Sequence, residues 1–214
     1  VIRVFVSVTW ANMLGLGNSL VRGGVLSGLT NTYSLDFDGT DDYVDCGDTN
    51  DFSFGADGTT GNEPAFTLSV WANMDDATNF RFMAKAPTSG VFGKGEYLFE
   101  TNGLDRLYFW INDDSVATGG GADAVIGRYY DSAVTGDEGA WHHYVATYDG
   151  SRASSGLKIY RDGVQVDNQN NQNPAGYVAM ENTDDPLWIG RSQLNYTNGK
   201  IDDCLLYTSP SPRD

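Results

Sequence analysis

Few residues of this 214-residue chain favour helices or covalent bridges. Two cysteines, five glutamates and four lysines indicate neither a disulfide framework nor long helices. No apolar run approaches the ~20 residues that a membrane-spanning helix requires. We therefore expect one ordinary domain that is stabilised by its hydrophobic core, because a domain of this length needs no disulfide bonds for stability.

Basic residues are also short, with 13 Lys and Arg against 29 Asp and Glu and a net charge of −16. Such a chain would repel the phosphates of a nucleic acid, so a nucleic-acid partner is disfavoured. Most of the acidic residues are aspartates. They supply hard oxygen ligands for calcium, but aspartate also populates turns, and both readings stay open.

Glycine and aromatic residues are plentiful, with 26 Gly, 12 Tyr, 10 Phe and 5 Trp. Apolar and polar residues alternate in segments such as "AFTLSVWANM", which predicts a strand with one apolar face. Asp162-Gly163 predicts a type I′ hairpin turn within residues 157–167. Roughly a dozen such segments, with no internal repeat or domain break, predict an all-β fold of two antiparallel sheets packed face to face. The apolar face of "AFTLSVWANM" comprises Phe66, Leu68, Val70, Ala72 and Met74.

The order of six short segments is more specific than the alternation. They lie within residues 33–203 and read "LDFDGTDDYVDCG", "FTLSVWAN", "AWHHYVATYDG", "LKIYRDGVQV", "PLWIGRS" and "GKIDD". In this order they resemble the LamG-like jelly roll of the concanavalin A-like lectin/glucanase superfamily. The resemblance implies a β-sandwich whose first and last strands lie side by side. It also implies relatives that act as binding, adhesion or spacer modules.

Both ends of the chain lie outside this pattern. Residues 1–29 are predicted to be an N-terminal extension, with Met13 as a candidate start, and residues 30–203 to be the jelly-roll domain. Residues 204–214, "CLLYTSPSPRD", resemble a translated sequencing adapter and are predicted to be an artefact that completes the last strand. Cys46 is then the only genuine cysteine, so Cys204 should not be paired with it and no redox compartment follows.

A glycoside hydrolase of this superfamily would need two carboxylates about 5–5.5 Å apart on one strand face. Glu96 and Glu100 lie four residues apart, with Leu98 between them, and we expect them on a solvated strand face. His142 and His143 are adjacent on a strand and point to opposite faces, so they cannot bind one zinc ion together. We expect one histidine to be packed and the other exposed, and no catalytic residue is predicted. Residues two apart on a strand share a face, so a second carboxylate would be expected two positions after a glutamate. No acidic residue stands there after any of the five glutamates: the residues are Ala65, Leu98, Asn102, Ala140 and Thr183.

A structural calcium ion is the cofactor that the resemblance implies. In the superfamily such an ion often lies where the first and last strands meet, held by carboxylates and backbone carbonyls. The matching candidates here are Asp38, Asp41 and Asp202, and Asp36 and Asp203 are equally acidic neighbours. The alternative is that these aspartates cap turns and strand ends.

Glycan binding would use exposed aromatic side chains flanked by amides and carboxylates. The alternative for each aromatic candidate is packing within or across a sheet. The candidates are Trp110, Tyr129, Tyr130, Trp188 and Tyr196.

We therefore expect a non-catalytic binding or adhesion module that binds carbohydrate within a larger extracellular surface or virion structure. The segment "MLGLGNSLVRGGVLSG" resembles the openings of phage structural proteins from environmental sequence. The alternative is a ligand-free structural or self-assembling phage protein, of the head-decoration or tail-associated kind. A glycoside hydrolase ranks last. The expected partners are a glycan or other virion or surface proteins.

Overall fold

The computed structural model describes residues 33–55, 63–87, 95–118, 122–173 and 176–208. The predicted extension 1–29 and residues 209–214 lie outside these ranges. Within them the chain forms fifteen strands and three short 3₁₀ turns, which are Asn50–Phe52, Thr135–Asp137 and Ser154–Gly156. No helix in the described part of the chain has the length and apolar character needed to cross a membrane.

Two antiparallel sheets account for thirteen of the described strands. The six-stranded sheet contains, in spatial order, β1 (Leu35–Asp38), β15 (Asn198–Thr208), β3 (Phe66–Asp76), β8 (Trp141–Tyr148), β9 (Leu157–Arg161) and β10 (Val164–Gln165). The seven-stranded sheet contains β11 (Gln169–Asn173), β7 (Ala122–Ala133), β6 (Arg106–Thr118), β5 (Tyr97–Thr101), β4 (Arg81–Lys85), β12 (Leu187–Ile189) and β2 (Val44–Asp45). A separate hairpin pairs β13 (Arg191–Ser192) with β14 (Asn195–Tyr196).

The predicted all-β, two-sheet architecture is confirmed. The first described strand, β1, pairs with the last, β15, and β15 also pairs with β3. This is the adjacency that the family resemblance implied. Leu35 of β1 lies opposite Ile201 of β15, so residues 166 positions apart in the chain become neighbours across two strands.

The core lies between the two sheets and is rich in aromatic side chains. The alternation predicted for β3 is confirmed, because Phe66, Leu68, Val70, Ala72 and Met74 are all buried. Phe66 stacks on Phe54 at a centroid distance of 4.3 Å. Burial of each large apolar side chain stabilises the fold by about 1.5–3 kcal/mol, so this interface is the main source of stability.

The predicted hairpin turn also forms. Asp162 and Gly163 have φ angles of 50° and 78°, as a type I′ turn requires. Arg161 of β9 then lies opposite Val164 of β10.

The end of β15 contains residues that the sequence predicts to be adapter-derived. The strand continues through Cys204 to Thr208, with one irregularity between Asp202 and Leu205, where Asp203 has a φ of 46°. Residues 204–208 therefore lie within the last strand, while the origin of residues 204–214 stays a prediction. Cys46 and Cys204 are both free, half-buried thiols. Burial, with a smaller effect of Asp45, raises the pKa of Cys46 to about 11.

Candidate functional site

Two exposed tryptophans lie on the outward side of the six-stranded sheet. Trp71 of β3 is 40% exposed and Trp141 of β8 is 41% exposed. Successive side chains of a strand point to opposite faces. Because Val70 and Ala72 face the core, Trp71 between them has to face outward. Likewise Tyr144 of β8 is buried, which places Trp141 and His143 on the outer side. We call the outward surface around these three residues the tryptophan face.

The register of the strands places these side chains beside one another. Trp71 lies opposite His143, and their rings stack with centroids 5.0 Å apart and an interplanar angle of 23°. Trp141 lies opposite Asn73, so it is the diagonal cross-strand neighbour of Trp71, about 7–8 Å away. His143 Nε2 is 2.8 Å from the hydroxyl of Ser69. The imidazole is therefore held in place and supports one side of the Trp71 indole.

Polar groups flank the indoles. Asp202 of β15 lies opposite Trp71 on the side away from His143, and Asn73 lies opposite Trp141. A carboxylate accepts hydrogen bonds and an amide both donates and accepts them. Partly exposed indoles offer apolar ring surface in the same place. The tryptophan face thus combines the two kinds of contact that a sugar ring offers.

Neither tryptophan is among the binding residues predicted from the sequence, although the sequence holds the signal. The apolar side of "AFTLSVWANM" is predicted to face the core, and Trp71 is the large residue on the opposite side of that same strand. The alternation of "WHHYVATY" places Trp141 outward in the same way.

Two of the predicted glycan-binding residues are buried, so the expectation that they are exposed is wrong. Trp110 and Trp188 lie on the outward side of the seven-stranded sheet and are each 3% exposed. The indole N–H of Trp188 donates to the carbonyl of Ala86 over 2.9 Å. Trp110 belongs to a second, small apolar cluster whose other members are Ala84, Ala86, Leu98 and Val125.

Tyr196 and Trp188 meet around an arginine. The guanidinium carbon of Arg191 lies 4.7 Å from the ring centre of Tyr43, 5.0 Å from that of Trp188 and 5.2 Å from that of Tyr196. Cation–π contacts of this kind stabilise the packing of the β13–β14 hairpin against β12 and the start of β2. The ring surfaces that a sugar would stack on are therefore in contact with Arg191.

The remaining two candidates lie elsewhere. Tyr129 is half-buried and stacks on Tyr108, with centroids 4.7 Å apart and an interplanar angle of 3°. Tyr130 is half-buried and packs against the main core. The five predicted aromatic residues do not form one site, and a glycan role for Tyr129 or Tyr130 stays a prediction.

The predicted calcium ligands are not brought together. Asp38 lies opposite Asn198, and Asp202 is four residues further along the same strand, which is roughly 13 Å away. The predicted ligand set of Asp38, Asp41 and Asp202 is therefore wrong, because one ion cannot contact two carboxylates that lie so far apart. Asp38 instead accepts a hydrogen bond of 2.8 Å from the amide of Thr40, which is turn capping.

Across the described ranges, no group of three or more His, Cys, Asp or Glu residues is arranged to hold a metal ion. The residues present do not fit the calcium site that the resemblance implied. Calcium binding by this chain stays a prediction without a located site.

Glu96 and Glu100 are buried, and their expected placement on a solvated face is wrong. They are 0% and 2% exposed. Glu100 forms an ion pair with Arg81, and Glu96 Oε1 is 3.2 Å from the ammonium of Lys85. Burial raises the pKa of Glu96 to about 7, against the opposing effects of Lys85 and of hydrogen bonds from Thr183 and Ser53.

The expectation that one histidine is exposed is also wrong. Both are half-buried, because each has a polar partner: His142 Nδ1 is 2.7 Å from Asp162 Oδ2, and His143 bonds to Ser69.

The amino-acid sequence matches a known protein family over most of its length. Residues 38–212 match the family model Laminin_G_3, described as "Concanavalin A-like lectin/glucanases superfamily". The match includes part of the segment 204–214. Among curated protein sequences, none matches the chain.

Several solved structures align with this chain at low sequence identity. Domains LG4-5 of the mouse laminin alpha1 chain align with a TM-score of 0.53 and 14% identity, covering 84% of this chain and 44% of that one. A heptameric SAP-like pentraxin from Limulus polyphemus aligns with a TM-score of 0.44 and 11% identity, covering 81% and 74%. A putative carbohydrate-binding protein from Bacteroides ovatus aligns with a TM-score of 0.43 and 16% identity, covering 67% and 37%.

This chain spans less than half of the laminin and Bacteroides ovatus chains. Identities this low show likeness of fold alone. The family match itself extends over most of the sequence, from the end of β1 to beyond β15. The chain therefore belongs to the concanavalin A-like lectin/glucanases superfamily.

Proposed function

We propose that this protein is a non-catalytic carbohydrate-binding module whose ligand contacts the tryptophan face. The observation that carries the proposal is the pair of exposed indoles, Trp71 and Trp141, on neighbouring strands. Apolar ring surface beside hydrogen-bonding groups suits a pyranose, which has apolar faces and a rim of hydroxyls. A rigid sheet holds both indoles, so little conformational entropy is lost on binding.

The positions of four glutamates support a module without hydrolytic activity. A retaining glycosidase needs two carboxyl groups facing one sugar. Glu96 and Glu100 are buried in ion pairs, and Glu63 is buried and accepts hydrogen bonds from Tyr177 and from the amide of Met180. Glu138 accepts a hydrogen bond from the amide of Ala77 over 2.9 Å. These four carboxylates hold backbone and side chains in place.

Substitution of the indoles tests the proposal. A glycan array would first identify ligands of the wild-type protein, and titration calorimetry would then compare Trp71→Ala and Trp141→Ala. We expect each variant to lose roughly tenfold or more in affinity, which is ~1.4 kcal/mol, because stacking on an aromatic ring contributes energy of that order.

Leu104→Ala is the matched control. Leu104 is 62% exposed and lies in the turn between β5 and β6, away from the tryptophan face. Its variant should bind as the wild type does, and circular dichroism should show that all three variants are folded. Unchanged affinity in both tryptophan variants would contradict the proposed site, and an array without any signal would contradict carbohydrate binding.

A second candidate function uses the same surface for self-association in a larger surface or virion structure. Trp71 and Trp141 are 40% and 41% exposed on the outward side of the sheet, where a second copy of the chain could cover them. Large exposed apolar patches mark interaction surfaces between proteins. Sedimentation velocity over a range of concentrations separates the two functions. Self-association predicts oligomers that Trp71→Ala weakens, whereas glycan binding alone predicts a monomer.

A further inference from the structure

We infer that Lys85 and Asp48 form a covalent cross-link, an isopeptide bond between Nζ of the lysine and Cγ of the aspartate, with Glu96 as the group that transfers the protons. Such a bond is a modification of the protein by its own side chains, and it goes beyond the proposed binding function. It follows from the positions of a buried amine, a carboxylate that the amine contacts, and a second carboxyl group that is fully buried beside them.

The amine and its acceptor are already in contact. Nζ of Lys85 lies 2.8 Å from Oδ1 of Asp48, and this ion pair is the state that precedes the bond. Cγ is one C–O bond of about 1.2 Å beyond Oδ1, so it lies no more than about 4 Å from Nζ. Reacting atoms in a productive arrangement lie ~3–3.5 Å apart. The Asp48 side chain is 37% exposed, so it has room for the small movement that completes the approach.

The lysine is held in one place. Its side chain is 0% exposed at the end of β4, and Nζ donates hydrogen bonds to the carbonyls of Thr183 and Asp185. A nucleophile fixed beside its target reacts within one molecule, and effective concentrations for well-oriented groups reach about 10⁵–10⁸ M. The excess of water opposes amide formation between free molecules, and an effective concentration of this size outweighs that opposition.

Glu96 is placed to move protons between the two groups. Its Oε1 lies 3.2 Å from Nζ of Lys85 and accepts hydrogen bonds from the hydroxyl of Ser53 and the amide of Thr183. Its Oε2 is buried and has no hydrogen-bond partner among the described residues, so this oxygen is available to carry a proton. Burial raises the pKa of Glu96 to about 7. A carboxyl group with a pKa close to neutral pH is effective both as a base and as an acid.

The reaction is a condensation that needs no oxidant and no co-reactant. The Lys85 ammonium gives one proton to Glu96, and the lone pair freed on Nζ forms a bond to Cγ of Asp48. A second proton from Nζ and the proton held by Glu96 pass to the departing oxygen, and the Cγ–O bond breaks. The products are an amide and one water molecule, and Glu96 returns to its starting state. The exposed side of Asp48 lets the water leave.

The cross-link fastens one edge of the seven-stranded sheet. β2 is the edge strand and is only two residues long, and β12 lies between β2 and β4. Asp48 follows the end of β2 by three residues, and Lys85 is the last residue of β4. The bond therefore ties the chain on the two sides of β12 together. Both cysteines are free thiols, so no disulfide does this.

Mass spectrometry of the purified full chain under denaturing conditions tests the cross-link. We expect most wild-type molecules to be lighter than their sequence by one water molecule, and Asp48→Ala to have the full mass of its own sequence. Asp51→Ala is the matched control, because it removes an exposed aspartate from the nearby 3₁₀ turn and should keep the loss of water. Wild-type protein of full mass would overturn the inference, and so would a loss of water that persists in Asp48→Ala.

Tryptic peptides identify the two bonded residues. Trypsin does not cleave after a lysine whose amine is part of an amide, so a bond between Lys85 and Asp48 joins residues 82–94 to residues 23–81. Fragmentation of this linked species should place the bond on Asp48. A species that joins residues 82–94 to residues 95–106 would place the bond on Glu96 and would contradict Asp48 as the acceptor.

Glu96→Gln examines the proton transfer. The variant keeps the size of the side chain but cannot exchange a proton, so we expect the rate of cross-linking to fall by on the order of 100-fold or more. The fraction of molecules with the lower mass is followed over days after purification, and circular dichroism checks that the variant is folded. Cross-linking in the folded variant that is as fast and complete as in the wild type would overturn the role of Glu96.

Discussion

At the residue scale, Lys85 shows how this fold accommodates a buried positive charge. Its ammonium is 0% exposed and has four oxygen neighbours. Asp48 Oδ1 lies at 2.8 Å, the carbonyl of Thr183 and Glu96 Oε1 each lie at 3.2 Å, and the carbonyl of Asp185 also accepts a hydrogen bond. A buried charge is tolerated only when it is paired and hydrogen-bonded, so Lys85 joins β4 to the segments around Asp48 and Thr183.

Glu96 makes the stability of this cluster depend on pH. Its pKa is raised from 4.5 to about 7, mainly by burial. Between these values the folded state binds more protons at Glu96 than the unfolded state does, so the free energy of unfolding falls as pH rises through this window. We expect the stability of the wild type relative to Glu96→Gln to fall by on the order of 2 kcal/mol between about pH 4.5 and pH 7 and to be constant above it.

Urea unfolding of both proteins across this pH range measures the difference directly. Circular dichroism at pH 4.5 would check that the variant has the wild-type fold. A difference that is independent of pH would contradict the assignment of the raised pKa to Glu96.

At the element scale, the turn between β12 and β13 depends on one glycine. Gly190 has a φ of 80°, and a Cβ placed on it would lie 2.5 Å from Cε1 of Phe37. Phe37 belongs to β1 and is buried in the core. The chain therefore passes so close to the Phe37 ring that a side chain at position 190 has no room.

Two alanine substitutions separate the lack of room from backbone strain. Gly163 has a φ of 78°, close to that of Gly190, but no atom lies within 4 Å of a Cβ built there. We expect Gly163→Ala to lower the free energy of unfolding by ~1–2 kcal/mol, the cost of a left-handed backbone. Gly190→Ala should cost about 1–3 kcal/mol more, because the methyl group overpacks the core. Equal losses in urea unfolding would show that the Phe37 contact is unimportant.

At the scale of the whole molecule, the acidic charge is only partly balanced. Buried and half-buried cations pair with carboxylates, but the net charge is still −16. An excess of one sign destabilises the compact state through self-repulsion, and salt screens that repulsion.

The melting temperature should therefore rise as NaCl increases from about 10 mM to about 300 mM. Salt screens the buried ion pairs of Lys85 and Arg81 much less than it screens surface charges. Weakening of these pairs should therefore not reverse the rise in melting temperature. Differential scanning calorimetry in NaCl, with an equal concentration of a nonionic osmolyte as control, measures the effect. A melting temperature that falls with salt would show that ion pairs outweigh self-repulsion.

Strand identity could be predicted well from the sequence because it depends on local chemistry. The alternation in β3 and the Asp162-Gly163 turn involve residues close in the chain, and both are confirmed. The burial of Glu96 and Glu100 could not be predicted in this way. It depends on Lys85 and Arg81, and their approach is set by the pairing of β4 with β5 rather than by any local pattern.

Trp71 and Trp110 show which property of a side chain the sequence predicts and which depends on the tertiary structure. Alternation would place both indoles on the outward side of a strand, because successive side chains point to opposite faces, but this was not predicted for Trp71. Yet Trp71 is 40% exposed, whereas Trp110 is 3% exposed among Ala84, Leu98 and Val125. The sequence determined the strands and their inner faces; only the tertiary structure decided which outward face stays in contact with solvent. Exposure depends on neighbours from distant strands, and those neighbours meet only when the sheets have formed.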